Sequence, residues 1–364
     1  MKTYLFTIAS VCAVMVSSLK AVAADSTGTS SLTWSGFVDA YYSRNFNDPI
    51  SRVNQYRNFD LNENQISLSL VDLKVQEEAR PVGFTLELGF GPTSDYVNIA
   101  STVGAPSPSL ANVMQAYATV VLPVGSGLTV DVGKFVTHMG YEVIPSQDNW
   151  NYSRSYLFAY AIPFYHTGIR LTYPVASNLT AALHILDGWN SVIDNNKSLS
   201  LGATLNYSPT STTDIVFNGI WGHENLTPIE DGARNVYDFI ITQQLSDAFS
   251  LALNADYGQA GTTAGLQMWK GIAVYGRYEL SSVSALALRA EVYYDPTDYT
   301  TGVTLPKATL KEYTLTYEYH PWSPLLIRIE ARDDFANGKV FDSASGSPTK
   351  SSQPTLTIGL VTIF

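Results

Sequence analysis

Pro354-Thr-Leu-Thr-Ile-Gly-Leu-Val-Thr-Ile-Phe364, the last stretch of the sequence, decides the fold. Counted back from Phe364, one face carries Thr362, Leu360, Ile358 and Leu356, and the other Ile363, Val361, Gly359, Thr357 and Thr355. A side-chain period of two is that of a pleated strand. About ten residues is the length a tilted strand needs to cross a bilayer. Left as a free edge, a strand this hydrophobic would aggregate in water. Paired with the first strand of a closed barrel, here residues 32–43, it has no edge left.

The opposite end reads as a leader. Met1-Lys2-Thr3 precedes an apolar run, Tyr4 to Val16, followed by a polar break at Ser17, Ser18 and Lys20 and by an Ala21-Val22-Ala23 cleavage pattern. The run is too short and too interrupted for a spanning helix. Residues 1–23 are therefore expected to be a signal peptide, with residues 24–364 forming one domain. Cys12, the one cysteine, sits within the run, and Ala9-Ser10-Val11 before it is a poor lipobox. Cleavage would take Lys2 and Lys20 and no acid from 21 basic and 32 acidic residues, moving the formal net charge from −11 to −13. That balance argues against nucleic acid as a partner. Only 15% of residues are charged, below the quarter usual for soluble chains, while tyrosine is abundant at 23. Apolar residues at alternate positions with polar ones between them are how a transmembrane barrel escapes hydropathy scans.

Strand-like stretches recur from Leu32 onward, and the pattern predicts an all-β, antiparallel up-and-down barrel of about sixteen strands, an even number as single-chain bacterial barrels require. The spans are 32–43, 63–75, 82–90, 113–122, 127–136, 164–173, 178–187, 199–207, 213–223, 234–244, 248–257, 269–280, 284–294, 310–319, 324–333 and 355–364. Short turns such as 123–126, 174–177, 208–212 and 320–323 alternate with long connections at 44–62, 91–112, 137–163, 258–268, 295–309 and 334–354. Outer-membrane barrels sort their connections this way, short in the periplasm and long outside. Arginine facing lipid at mid-depth costs about 2–4 kcal/mol. The face holding Arg277 and Glu279, Arg289 and Glu291, or Arg328, Glu330 and Arg332 must therefore be the lumen, and by the same parity His166 and Arg170 face inward. Alternation breaks between Leu70 and Val71, where a β-bulge would restore it. Tyr41, Tyr42, Tyr173, Tyr207, Tyr257, Tyr293, Tyr294, Tyr317, Tyr319, Trp322 and Phe364 fall near strand ends, as rings at lipid headgroup level do.

The aromatic final residue, with apolar residues at alternate positions before it, resembles the C-terminal signature of bacterial outer-membrane barrels. In that class the signature is read by the barrel assembly machinery, which implies Phe364 as the assembly signal. Further, Gly133-Lys134-Phe135, Gly140-Tyr141-Glu142, Asn151-Tyr152-Ser153-Arg154-Ser155-Tyr156-Leu157-Phe158 and His166-Thr167-Gly168-Ile169-Arg170 resemble the OmpL-like β-barrel porin family. The resemblance implies an outer-membrane pore in a Gram-negative cell, set in lipid, and says little about substrate.

Catalysis is not expected. An outer-membrane phospholipase needs serine and histidine together on the lipid face, whereas His166 points inward and His184 has no evident serine partner. Histidines 138, 166, 184, 223 and 320 are too scattered for metal-ligand spacing. Asp333-Asp334 opens a long connection and admits a calcium reading, against the more ordinary one of a solvated loop face. No cofactor or metal is expected. The chain reads as a passive diffusion channel for small hydrophilic solutes and ions. One alternative is a substrate-preferring channel with a charged lumen ladder, and another is a closed barrel acting as adhesin, receptor or structural protein. A homotrimer is compatible with either channel.

The connection 137–163 is too apolar for a solvated loop, since Tyr141, Val143, Ile144, Trp150, Tyr152, Tyr156, Leu157 and Phe158 need packing partners. In sixteen-stranded general porins the loop at this position folds inside and narrows the pore, and the resemblance implies the same here. Glu142, Asp148 and Arg154 would then face Arg170, Arg277, Arg289, Arg328 and Arg332 across a constriction whose charged rings tune selectivity. The alternation of these arginines with Glu279, Glu291 and Glu330 reads equally well as a neutralising ladder that stabilises the wall.

Overall fold

In the computed structural model, which describes residues 32–99, 110–194, 196, 198–224 and 232–364, sixteen antiparallel strands pair in sequence order and the last closes on the first. The leader assigned to residues 1–23 lies outside the described residues. The strands are β1 (Leu32–Asn45), β2 (Ile66–Glu77), β3 (Val82–Phe90), β4 (Val113–Leu122), β5 (Leu128–Val136), β6 (Tyr165–Ala176), β7 (Leu179–Leu186) and β8 (Ser200–Thr210). The second half comprises β9 (Thr213–His223), β10 (Ala233–Ser246), β11 (Phe249–Thr262), β12 (Gly265–Ser281), β13 (Ser284–Asp295), β14 (Ala308–Trp322), β15 (Leu325–Ala336) and β16 (Ser352–Ile363). A short helix, α1 (Pro92–Ile99), follows β3.

Closure follows from the terminal stretch. β16 pairs with β1 from Phe37↔Ile363 to Asn45↔Thr355. The ladder runs one residue further, because Gly36 and Phe364 exchange both backbone hydrogen bonds at 2.9 Å. A Cβ on Gly36 would stand 2.6 Å from the Phe364 ring, so glycine there leaves room for the terminal aromatic over β1. With every strand flanked by a paired neighbour on both sides, the wall presents no free strand edge to hydrocarbon.

Burial alternates as the sequence parity requires. On β15, Arg328, Glu330 and Arg332 are buried inward while Ile329 is exposed to the outside; on β13, Arg289 and Glu291 are buried while Leu288 is exposed. The break in β2 is a bulge at Ser69, since Asp39 pairs with Leu70 and Ala40 with Leu68. That is one residue before the predicted place. It turns Ser67 and Asp72 inward and leaves Ile66 and Leu68 exposed outside.

Two expectations need correction. The stretch 258–268 is not a long connection, because β11 continues to Thr262 and β12 begins at Gly265. Its glycines read as turn signals, yet Gly258 is a strand position vacated for Trp269, whose ring a Cβ there would meet at 2.0 Å. Tyr41 and Tyr293 also leave the proposed aromatic girdle: both are buried in the lumen, where Tyr41 Oη accepts the Asn62 N–H at 2.9 Å. Tyr207, Tyr257, Tyr317, Tyr319 and Trp322 do stand exposed outside.

Candidate functional site

The lumen is crossed by the connection between β5 and β6. Thr137 N–H donates to the Phe164 carbonyl at 3.0 Å, the last bond of that hairpin. The chain then turns inward at Gly140, whose φ of 89° and proximity to Ile162 (2.4 Å from a built Cβ) exclude a side chain. From there wall carboxylates and amides hold the loop by its own backbone. Gly140 N–H donates to Asp238 on β10 at 2.9 Å and Tyr141 N–H to Asn254 on β11 at 3.1 Å. The far end of the loop reaches β1, where Asp39 accepts Ser146 Oγ–H at 2.7 Å and Tyr152 O–H at 2.8 Å. On the way back, Tyr152 and Ser153 N–H donate to Glu330 on β15 at 2.6 and 3.0 Å. Tyr156 and Leu157 N–H donate to Glu291 on β13 at 2.7 and 2.6 Å. Glycine on the wall makes the approach possible: a Cβ at Gly359 would meet the Tyr152 ring at 2.4 Å.

The arginines complete this seam. Arg289 pairs with Glu142 of the loop (2.6 Å) and Glu312 of the wall (2.5 Å), and donates to the Ser153 carbonyl at 2.7 Å. Arg328 pairs with Glu318 at 2.6 Å and donates to the Ser146 and Asn149 carbonyls. Arg332 pairs with Asp334 (2.8 Å) and donates to the Arg154 carbonyl (2.6 Å). Arg154 turns back into its own loop, donating to the carbonyls of Val143 (2.9 Å), Ile144 and Tyr152.

The residues predicted to line a constriction therefore divide. Glu142, Arg154, Arg289, Glu291, Arg328, Glu330 and Arg332 are no more than 5% exposed and form the junction of loop and wall, so they do not line a water-filled passage. Parity shows which side chains point inward, but not whether water or protein meets them there. Arg277 with Glu279 (2.8 Å) and Glu318 (2.7 Å) lies at the turn end of β12, partly exposed, with none of the loop contacts that Arg289 makes. Arg170 pairs with Asp131 at 2.8 Å on the opposite wall and retains a quarter of its side-chain exposure. Asp148 is exposed on the loop; its N–H donates to the Pro145 carbonyl at 3.4 Å, while its carboxylate has no hydrogen bond or ion pair among the described residues. Partial loss of hydration beside the protein around it raises its pKa above the ordinary carboxylate value, against the lowering influence of Arg154, Arg328 and Lys74.

Several participants were not singled out from the sequence. Asp39, Asp238, Asn254, Glu312 and Thr316 all hold the seam and are buried or nearly so; their one legible signal was a polar residue at a lumen position. Asp334 is buried and accepts Tyr156 O–H (2.7 Å), Arg332 and Arg57, so it is committed to the seam and closed to calcium. Arg57 belongs to the β1–β2 connection, which packs over the loop and places Phe59 against Tyr96, Phe158 and Phe164 with centroids 5.8–6.2 Å apart. Histidines scattered in sequence also meet. His138 at the loop root stacks on His184 at 4.0 Å and lies 5.4 Å from His166. The stacked rings send their nitrogens to separate partners, His138 Nε2 to the Gly219 carbonyl and His184 Nε2 to Thr204.

Comparison with known proteins fits this geometry. The family described as beta-barrel porin-2, OmpL-like, matches residues 31–364. No curated protein matches the chain in sequence. Among solved structures, the anion-selective porin from Comamonas acidovorans is similar at a TM-score of 0.62, with 11% identity over 92% of this chain and 100% of that one. OmpT of Vibrio cholerae in its trimer form gives 0.61 with 11% identity over 93% and 100%. The outer membrane channel DcaP of Acinetobacter baumannii gives 0.59 with 10% identity over 93% and 99%. At such identities these likenesses concern the fold.

Proposed function

Since the chain belongs to the OmpL-like β-barrel porin family and is an outer-membrane porin of bacteria, we propose that it conducts small hydrophilic solutes and ions by diffusion, without catalysis, through a passage narrowed by the loop 137–163. One observation carries this reading: the loop is fixed by its backbone to Asp238, Asn254, Glu291 and Glu330 and by the Ser146 and Tyr152 hydroxyls to Asp39, on strands from β10 round to β1. The loop thus lies along the late-strand wall. The passage is left between Asp148 on the loop and the early wall, where Lys74, Asp131 and Arg170 stand. Charged groups in a narrow, low-dielectric passage tune ion preference. Because the Asp148 carboxylate has no partner among the described residues and the wall charges are paired, the preference is for cations. We assign Phe364 the role of assembly signal and the homotrimer as the working assembly, to be checked by native mass in detergent.

Planar-bilayer recording on refolded protein tests the reading. Steady ohmic current supports it. No current from a heat-modifiable, folded barrel would favour the closed-barrel alternative of adhesin, receptor or structural protein.

A further inference from the structure

On the extracellular side of the loop lies a cavity of about 750 Å³, of the size that small-molecule sites occupy. Its walls include Tyr96, Tyr160, Phe164, Trp189 and Tyr299, and the one cation among its described lining residues is Arg234, at the start of β10. The guanidinium lies 3.6 Å from the Trp189 ring centroid, 5.2 Å from Trp269 and 5.7 Å from Tyr299, so its faces are covered by aromatic rings. Stacking of this kind leaves the edge of the guanidinium, with its N–H donors, free to bind.

That edge has no protein partner among the described residues. Arg57, Arg289, Arg328 and Arg332 each hold a carboxylate within 2.8 Å. Arg234 forms no ion pair among the described residues, and its buried Nε–H has no acceptor. The nearby carboxylate of Glu224 is occupied, accepting Trp189 N–H at 2.7 Å and Ser200 O–H at 2.5 Å, which fixes Trp189 in place over the arginine. An arginine kept only as packing would find acceptors, because an unmade bond from a buried donor is destabilising. The rings, the cavity and the open fork are instead what a bidentate carboxylate site with an aromatic lining requires. Asp95 also borders the cavity, which disfavours ligands of higher negative charge such as phosphates.

We propose that this cavity binds a planar aromatic carboxylate on its way through the channel, the carboxyl group taking the fork of Arg234 and the ring lying against Trp189, Tyr160 and Tyr299. This rests on the porin reading and makes it a substrate-preferring one. The test uses the refolded full-length protein and the indole fluorescence of Trp189 and Trp269, titrated with benzoate, acetate, benzyl alcohol and glucose. Benzoate is expected to give a saturable change, with acetate and benzyl alcohol about tenfold weaker or more, since each keeps half of the recognition. Arg234→Lys, which keeps the charge but loses the fork, and Arg234→Gln should both weaken benzoate by at least about tenfold. Should the arginine variants fail to fold, Tyr160→Leu with Tyr299→Leu removes the ring wall and should produce the same loss. Benzoate should also interrupt the wild-type current. Equal benzoate binding in the folded arginine variants, absence of saturation, or a preference for glucose overturns the proposal. Wild-type current in plain potassium chloride reports separately on the pore: benzoate binding without any current would sink the porin reading and leave the site.

Discussion

Replacing Glu291 and Glu330 together by glutamine is expected to loosen the loop from the wall without dismantling the barrel. Each carboxylate uses both oxygens to accept neighbouring loop amides, Tyr156 with Leu157 and Tyr152 with Ser153, at 2.6–3.0 Å. Glutamine keeps one acceptor and turns an NH₂ group toward the second amide, leaving one buried donor unmet at each site. Such a loss costs about 2 kcal/mol. Taken as independent, the two sites shift the docked-to-undocked ratio by about 4 kcal/mol, roughly a thousandfold. Asp39, Asp238 and Arg289 still tether the loop, so partial excursions are expected rather than its complete release. The assay is single-channel recording at fixed voltage: wild type should be quiet, and the double variant should flicker into states of higher conductance. Glu279→Gln, outside the seam, serves as control. A double variant that is heat-modifiable and records as quietly as wild type, at the same conductance, would refute the seam as what holds the constriction.

Asp148→Asn should move the zero-current potential in a salt gradient toward anions; in wild type, cation preference should be present at neutral pH and fade as pH falls through a window above the ordinary carboxylate range, because partial desolvation raises that pKa. Burial holds His138 neutral with a pKa lowered to about 4, below its ordinary value near 6.5. The stabilisation it gives the loop root is therefore full above about 6.5 and lost as pH falls through about 4, so channel noise should rise over that window in wild type and not in His138→Gln. Deleting Phe364 removes the ring over Gly36 and the last two backbone bonds of closure, and should leave heat-indifferent protein; normal levels of folded barrel would exclude it as the assembly signal. Epitope tags at Gly346 and at Ser211 should be labelled on opposite sides of the outer membrane, only the first in intact cells.

The barrel was legible because its determinants are local. Period-two patterning from β12 to β16 names the lumen face residue by residue, and the terminal stretch announces its own partner in β1. The loop was legible as an apolar segment needing cover, and Ile144, Tyr152, Tyr156, Leu157 and Phe158 are indeed buried, although Val143 is 40% exposed. What could not be read was the division of the charged residues between seam and passage, which depends on contacts such as Glu142 with Arg289, 147 positions apart in the chain. The histidine stack and the open fork of Arg234 escaped for the same reason. Each joins separate strands or loops whose relative depth in the barrel is set by register, and no single segment encodes that.

The crowding of arginine on the late strands follows from what a loop inside a membrane barrel must satisfy. Between Thr137 and Phe164 the chain has little regular structure, so the N–H and C=O groups that it buries against the wall need partners there. Acids meet the N–H groups: Asp238, Glu330 and Glu291. Arginines meet the carbonyls: Arg328 at Ser146 and Asn149, Arg289 at Ser153, and Arg332 at Arg154. Neighbouring acids and arginines then neutralise one another across the wall, as Arg289 does with Glu312 and Arg328 with Glu318. Buried ion pairs are weak evidence for stability but can fix one arrangement over its rivals. Here the amide pairs 152/153 and 156/157 recur four residues apart, and the acids that receive them, on β15 and β13, are themselves offset by four residues along β14, where Glu330 faces Thr316 and Glu291 faces Glu312. The step along the loop thus matches the step along the wall. A one-residue slip of the loop would set carbonyls against carboxylates at both sites, which is why the ladder that neutralises the wall also fixes the path of the loop.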